Sequence, residues 1–229
     1  MKAVHVFDYD ETLCHSNSLV HVSILHNGSP VEIEKLPGWF DISFKKTETS
    51  QERVKYSFEN KEYAQLLKLC EENQVQISFS NENNNAQEGY NVVLDFSDFF
   101  YVDHERSTPI KRYLKRLKRC SSTSDVWILT ARKTGVESCI QKFIFHYSGI
   151  QVPLERIVCV GGWGGKTYED KSKALLTKII PSNTYDEVYF YDDDQRNLDS
   201  ALLVLPKFCK THLINSVTNK AVFRSKKKF

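Results

Sequence analysis

A short apolar run that stops abruptly in acids sets the terms for this chain. Val4-His5-Val6-Phe7 is β-branched and aromatic and too short for a helix, so it reads as a buried strand. Asp8-Tyr9-Asp10-Glu11 follows at once. Burying unpaired charges in a core costs on the order of several kcal/mol each. The acids therefore belong at the strand's carboxyl end, where open α/β sheets place their ligands. In an extended segment Asp8 and Asp10 point the same way. Two like-facing carboxylates suit a hard cation and a reaction that needs both a nucleophile and an acid. A solvated acidic turn is the plainer alternative.

The rest of the chain decides between these readings. With 229 residues, 41% hydrophobic and 26% charged, it has globular composition and room for one large domain or a core with an insert. A net charge of +2 makes no whole-chain case for nucleic acid. Cys14, Cys70, Cys120, Cys139, Cys159 and Cys209 form no CxxC pair, which argues against a zinc knuckle or redox pair. Asp8 and Asp10 interrupt the first apolar run too early for a secretory leader. Scattered cysteines then suit a reducing cytoplasmic or nuclear compartment. No run of about 18 apolar residues exists, so no membrane span is expected.

Residues 17–105 read as a mixed α/β insert. Leu19–Leu25 and Val31–Ile33 flank Asn27-Gly28, a hairpin signal. Trp39–Phe44 is strand-like, Lys45–Arg53 is polar and loop-like, and Lys61–Asn73 has helical spacing. Val75–Phe79 and Val92–Phe96 read as strands around an asparagine-rich loop, Ser80–Glu88.

From Thr108-Pro109 onward, apolar strands alternate with amphipathic helices. Pro109 suits a first helical position with Ser107 or Thr108 as cap, and the helix continues through Leu117. Strands are expected over Asp125–Leu129, Ile157–Val160, Glu187–Tyr191 and Lys207–Ile214, and helices over Gly135–Tyr147, Asp170–Ile180 and Leu198–Leu205. The basic tail past Arg224 reads as mobile. This alternation predicts a doubly wound, Rossmann-like parallel sheet covered on both faces. Its strands end in Asp8-Tyr9-Asp10, Thr130-Ala131-Arg132, the Gly161–Gly165 cluster and Asp192-Asp193-Asp194. Four polar endings on one sheet edge argue for an active site. Gly161–Thr167 is not a P-loop, because Val160 stands where the first glycine is required. Trp163 suits either ring stacking or packing.

These residues, in this order, resemble the haloacid dehalogenase (HAD) superfamily of phosphotransferases. Asp8-Tyr9-Asp10-Glu11-Thr12 resembles its DxDxT motif, Thr130 its strand-terminal Ser or Thr, Lys171 its helical lysine, and Asp192 to Asn197 its paired acids. The resemblance covers residues 1–16 and about 106–229, with 17–105 where the family carries a C1 cap. It implies a Mg²⁺-dependent phosphomonoesterase. Asp8 would be the nucleophile and Asp10 the acid and base. Mg²⁺ would sit on Asp8, the Asp10 carbonyl, and Asp192 or Asp193. Thr130, Arg132 and Lys171 would hold the phosphate, with Lys166 and Lys173 competing for the lysine's role. A carboxylate nucleophile facing a dianionic phosphate needs cations between them, which fits this set.

Thr130-Ala131-Arg132 also resembles phosphatases of nucleotides and polynucleotide ends, which makes a phosphorylated small molecule or nucleic-acid end the expected substrate. Asp10-Glu11-Thr12-Leu13 resembles the start of carboxyl-terminal-domain-type protein phosphatases, although Asp192 to Asn197 departs from their later motif. Lys111, Arg112, Lys115, Arg116, Lys118 and Arg119 read as the solvated face of a core helix or as a nucleic-acid contact. A nucleic-acid-binding or repair-associated protein with an idle core is the second functional expectation.

Overall fold

The computed structural model describes residues 2–16, 18–31, 35, 37–38, 40, 46–49, 54–58, 60–79, 89–100, 102, 107–180, 185–205 and 209–224. The chain divides into two compact units, residues 17–99 and residues 1–16 with 100–229. The border expected after residue 105 falls outside the described residues, as do the Ser80–Glu88 loop, the tail past 224 and, apart from Phe40, the strand over Trp39–Phe44.

The strands are β1 (Ala3–Phe7), β2 (Cys14–His15), β3 (Val20–His26), β4 (Ser29–Pro30), β5 (Lys46–Thr49), β6 (Val54–Phe58), β7 (Gln76–Phe79), β8 (Tyr90–Asp95), β9 (Thr108–Pro109), β10 (Asp125–Lys133), β11 (Ile157–Gly161), β12 (Glu187–Asp192), β13 (Lys210–Asn215) and β14 (Lys220–Arg224). The helices are α1 (Asn60–Glu72), α2 (Lys111–Ser121), α3 (Glu137–Ser148), α4 (Thr167–Ala174) and α5 (Gln195–Val204). Among the described residues, no helix is long and apolar enough to cross a membrane.

The larger unit is an α/β fold on a sheet ordered β11-β10-β1-β12-β13-β14, parallel up to β13 and closed by the antiparallel β14. Helices α2 and α3 cover one face through Tyr113, Leu117, Ile140 and Phe143. Helices α4 and α5 cover the other through Ala174, Leu198 and Ala201. Burial on both faces explains why the central strands are nearly continuous apolar runs. Cross-strand register stacks His5 on Tyr189 at 4.4 Å, Tyr189 on His212, and Phe7 on Tyr191. Burial, with the Arg116 charge beside it, lowers the His5 pKa to about 4, so the ring is neutral in this stack.

The sheet's order reverses at β1: the chain first builds outward through β10 and β11, then returns to β12 on the other side. Register pairs Phe7 with both Ile128 and Tyr191. The step beyond those pairs brings Asp8, Leu129 and Asp192 to one level. The acids of β1 therefore leave the sheet where its two halves diverge.

The 17–99 unit has its own sheet, ordered β5-β6-β3-β8-β7 with β4 beside β3, and its own core around Val22, Ile24, Tyr56, Leu66 and Leu94. Its two ends are drawn together by Asp98, whose carboxylate accepts from Leu19 N at 3.2 Å and meets His21 Nε2 at 3.0 Å. In the larger unit, β2 and β9 pair antiparallel, so the chain leaves and re-enters at adjacent points.

Three local expectations are corrected. Lys46–Thr49 is a strand rather than a loop, because β6 supplies an antiparallel partner for an otherwise polar segment. Thr108-Pro109 pairs with Cys14-His15 rather than capping α2, whose N-cap Ile110 makes no side-chain cap. The helix expected over Asp170–Ile180 begins at Thr167 and closes in a wider turn, with Ile180 N donating to Leu175 O. Strand β14 has no counterpart in the sequence reading; its polar surroundings mask an edge strand that only pairing with β13 defines.

Phe190 is fully buried in β12. Phe190→Ala is expected to lower stability by about 3–5 kcal/mol, by lost transfer energy plus a cavity, read from the midpoint of urea unfolding.

Candidate active site

The site sits on the carboxyl ends of β1, β10 and β12, with α4 alongside. Asp8 leaves β1 with its amide donating to Tyr191 O at 2.9 Å, which fixes the strand end against β12. Lys171 lies on the inward face of α4, only 2% exposed, between two carboxylates. Its ammonium donates to Asp8 Oδ1 and to Asp192 Oδ2, both at 2.8 Å. Of the competing lysines, Lys166 lies over the Tyr168 ring and Lys173 over Trp163. Trp163 itself packs on the α4–α5 face, with Lys178 on its ring at 4.9 Å.

Asp192 is held on its other oxygen, Oδ1, by Asn197 Nδ2 at 2.8 Å and Asp194 N at 3.0 Å. Asp194 serves α5 instead, its side chain accepting from Arg196 N as an N-cap. Asn215 Nδ2 donates to Asp193 O, and Ser216 N donates to Asp192 O, so the turn after β13 braces the acidic loop from its flank.

One ligand oxygen from each of Asp8, Asp192 and Asp193 lies within 4.8 Å of the others. An all-carboxylate oxygen set suits a hard divalent cation that keeps part of its water shell. The electrostatics point the same way. Burial raises the Asp8 pKa well above the carboxylate range; Lys171 opposes the shift, while Asp192, Asp193 and Asp10 add to it. Burial and the Asp192 charge push Asp193 up to about 6. Against burial, which alone would lower it, Asp192 and Asp8 raise the pKa of Lys171. One ammonium among three clustered carboxylates leaves excess negative charge, which a divalent cation would offset. The donor set therefore fits a hard divalent cation, and Asp8, Asp192 and Asp193 are the residues that could hold it. The Asp10 side chain stands outside this group.

Asp10 is instead gripped by Arg132. The guanidinium donates through Nε to Oδ2 at 3.0 Å and through Nη2 to Oδ1 at 2.7 Å, a two-pronged pair. Arg132 is 1% exposed and lies over the Tyr9 ring. Thr130 Oγ1 donates to Asp10 Oδ2 at 3.4 Å and accepts from Arg132 N at 3.2 Å. The sequence reading gives both residues to the phosphate; in the structure their side chains turn to Asp10, because β10 continues to Lys133 and carries Arg132 inward. Gly161 is needed opposite this bend. A side chain there would drive its Cβ into the backbone oxygen of Ala131. Glu11 takes φ 55°, a conformation costly for a non-glycine residue, and Glu11 N is tied to Cys14 O at 2.7 Å.

The structure thus brings Asp8, Lys171, Asp192 and Asp193 together, and joins Asp10, Thr130 and Arg132 beside them. Asn215 and Ser216 escape a reading of the sequence. They belong to none of the four polar strand endings, and nothing in their spacing signals a contact with Asp193.

No protein-family model matches the chain, and no curated protein matches it. Among solved structures, the chain aligns with the Legionella pneumophila effector Ceg4 at 16% identity, over 93% of this chain and 85% of that one, with a TM-score of 0.34. A likeness of that size carries no statement about fold or function.

Two outcomes test the charge balance. Lys171→Met strands two buried carboxylates and is expected to cost about 3–5 kcal/mol, measured by urea unfolding without divalent ions. For Asp193 the folded pKa, about 6, lies above its unfolded value. The folded state then binds more protons between those values, so stability falls as pH rises through that window. Asp193→Asn should raise the melting temperature of metal-free protein at pH 7, leave it little changed at about pH 4, near the unfolded value, and diminish the stabilisation given by Mg²⁺.

Proposed function

We propose that this chain is a Mg²⁺-dependent phosphomonoester hydrolase of the HAD type, acting through an aspartyl-phosphate on Asp8. The observation that carries the reading is the arrangement around Lys171: its ammonium bridges Asp8 and Asp192, Asp193 completes a cation-sized oxygen set, and Arg132 holds Asp10 alongside. A merely structural ion pair has no need of the third and fourth carboxylates.

Lys171 holds Asp8 by Oδ1, so the other carboxylate oxygen is the one that turns to substrate. That oxygen attacks phosphorus, and the bond from phosphorus to the ester oxygen breaks. Asp10 delivers the proton that the leaving oxygen takes up. Water then attacks the aspartyl-phosphate, Asp10 accepts its proton, the acyl-phosphate P–O bond breaks, and inorganic phosphate leaves with Asp8 restored. Lys171 offsets charge on Asp8 and on the phosphoryl oxygens throughout. Arg132 and Thr130 keep the Asp10 carboxyl aimed at the leaving oxygen. Mg²⁺ bound on Asp8, Asp192 and Asp193 would supply the positive charge that lets an anionic nucleophile approach a phosphate. The 17–99 unit is read as the cap that selects substrate. A cytoplasmic or nuclear setting fits the same reading.

Asp8→Asn is expected to abolish turnover of an aryl phosphate while thermal melting shows a folded protein. Asp10→Asn is expected to slow turnover by about 10²–10⁴-fold, the usual share of general acid–base catalysis. EDTA should stop the reaction and Mg²⁺ restore it. Full activity in Asp8→Asn would sink the proposal.

A further inference from the structure

Helix α2 carries a cationic surface that its own fold uses only in part, through Arg112 and Arg116 against the Tyr113 ring. From Lys111 to Arg119, every position that is not buried is a lysine or arginine: Lys111, Arg112, Lys115, Arg116, Lys118 and Arg119. Tyr113, Leu114, Leu117 and Cys120 take the buried face. Among the described residues, none of the six cations has a carboxylate partner.

This arrangement works against the helix itself. Lys111 with Lys115, Arg112 with Arg116, and Lys115 with Arg119 are like charges four apart, each destabilising in an isolated helix. Cations in the first turn oppose the helix dipole, and no acid stands there to relieve them. A solvated face that needed only solubility would mix both signs. Six cations of one sign along about 12 Å, at 1.5 Å per residue from Lys111 to Arg119, match a partner with closely and regularly spaced negative charge.

The surface also leads to the site. Ile110 N donates to Leu13 O, just past the Asp8–Asp10 loop. Arg112 Nη2 donates to Ser216 O, while Ser216 Oγ pairs with Thr12 Oγ1 at 2.8 Å and Ser216 N donates to Asp192 O. One turn thereby links the start of α2 to both acidic loops. Arg116 lies over the Tyr191 ring, at the end of β12.

We propose that α2 binds the phosphate backbone of single-stranded nucleic acid and delivers a terminal phosphate to Asp8, so that the substrate is a polynucleotide end. This rests on the phosphatase reading above for its chemistry, but not for its binding. Arginine forks suit phosphate oxygens. An anionic membrane would instead call for apolar side chains among the cations, and the exposed arc from Lys111 to Arg119 holds none.

The test uses the full chain with Lys115→Gln, Lys118→Gln and Arg119→Gln combined, three exposed residues outside the site. Binding is measured by fluorescence anisotropy on the Asp8→Asn background, so turnover is not needed, with a 5′- or 3′-phosphorylated single strand of about 12 nucleotides. The triple variant should bind roughly tenfold or more weakly at about 50 mM salt, with a log–log salt slope shallower by about 0.7 for every phosphate no longer neutralised. With Asp8 restored, the same changes should lower kcat/KM for the oligonucleotide and leave an aryl phosphate unaffected. Unchanged oligonucleotide affinity and slope would overturn the proposal, as would weakened binding only to vesicles of anionic phospholipid. A protein that hydrolyses aryl phosphate but binds no oligonucleotide through α2 refutes this inference alone; α2-dependent binding without any hydrolysis refutes the phosphatase reading and the delivery of a phosphate to Asp8, and leaves the backbone binding by α2 standing.

Discussion

The bond from Lys171 to Asp8 and Asp192 is the constraint on which the site rests. Three charged groups, all nearly without solvent, sit within hydrogen-bond reach. Any one of them alone would cost several kcal/mol to bury, an order-of-magnitude figure for desolvated ions. Together they are tolerable only if α4, β1 and β12 hold their relative positions. The sheet supplies that rigidity through the pairing of β1 with β10 and β12. The helix supplies it by packing Ala174, with Leu175 just beyond, into the same core as Val6 and Phe190.

Around this triad the protein arranges a second charged pair of different character. Arg132 and Asp10 are close to the first cluster but bonded to each other, which keeps the Asp10 side chain out of the cation set. Two carboxylates two residues apart on one loop thereby acquire separate environments, one facing a lysine and other acids, one facing a guanidinium. Such separation is how neighbouring acids come to do different work. The turn at Asn215–Ser216 adds a brace between the loops, so movement of one acidic segment would be felt by the other.

How much of the fold and site is legible in the sequence depends on distance along the chain. Asp8 and Asp10 are legible because an apolar strand cannot absorb them. The alternation after Thr108 is legible because a parallel sheet covered on both faces leaves a period-specific mark. Lys171 is harder: Lys166 and Lys173 lie close by, and periodicity ranks the three only weakly. The grip of Arg132 on Asp10 is hidden, since its reach depends on β10 running past Thr130 to Lys133. Strands β5 and β14 escape notice because polar edge strands look like loops until a partner is known.

The sequence by itself determined that Asp8 and Asp10 had to be at a strand end, which strands had to be buried, and that α2 would bear an unbroken cationic face. These follow from local chemistry: side-chain polarity, branching and spacing. Only the tertiary structure decided which charges meet. Lys171 is 163 residues from Asp8, and Arg132 is 122 from Asp10. Contacts of that separation are set by sheet order and helix packing, where free energy is shared among many side chains and no single one announces its partner.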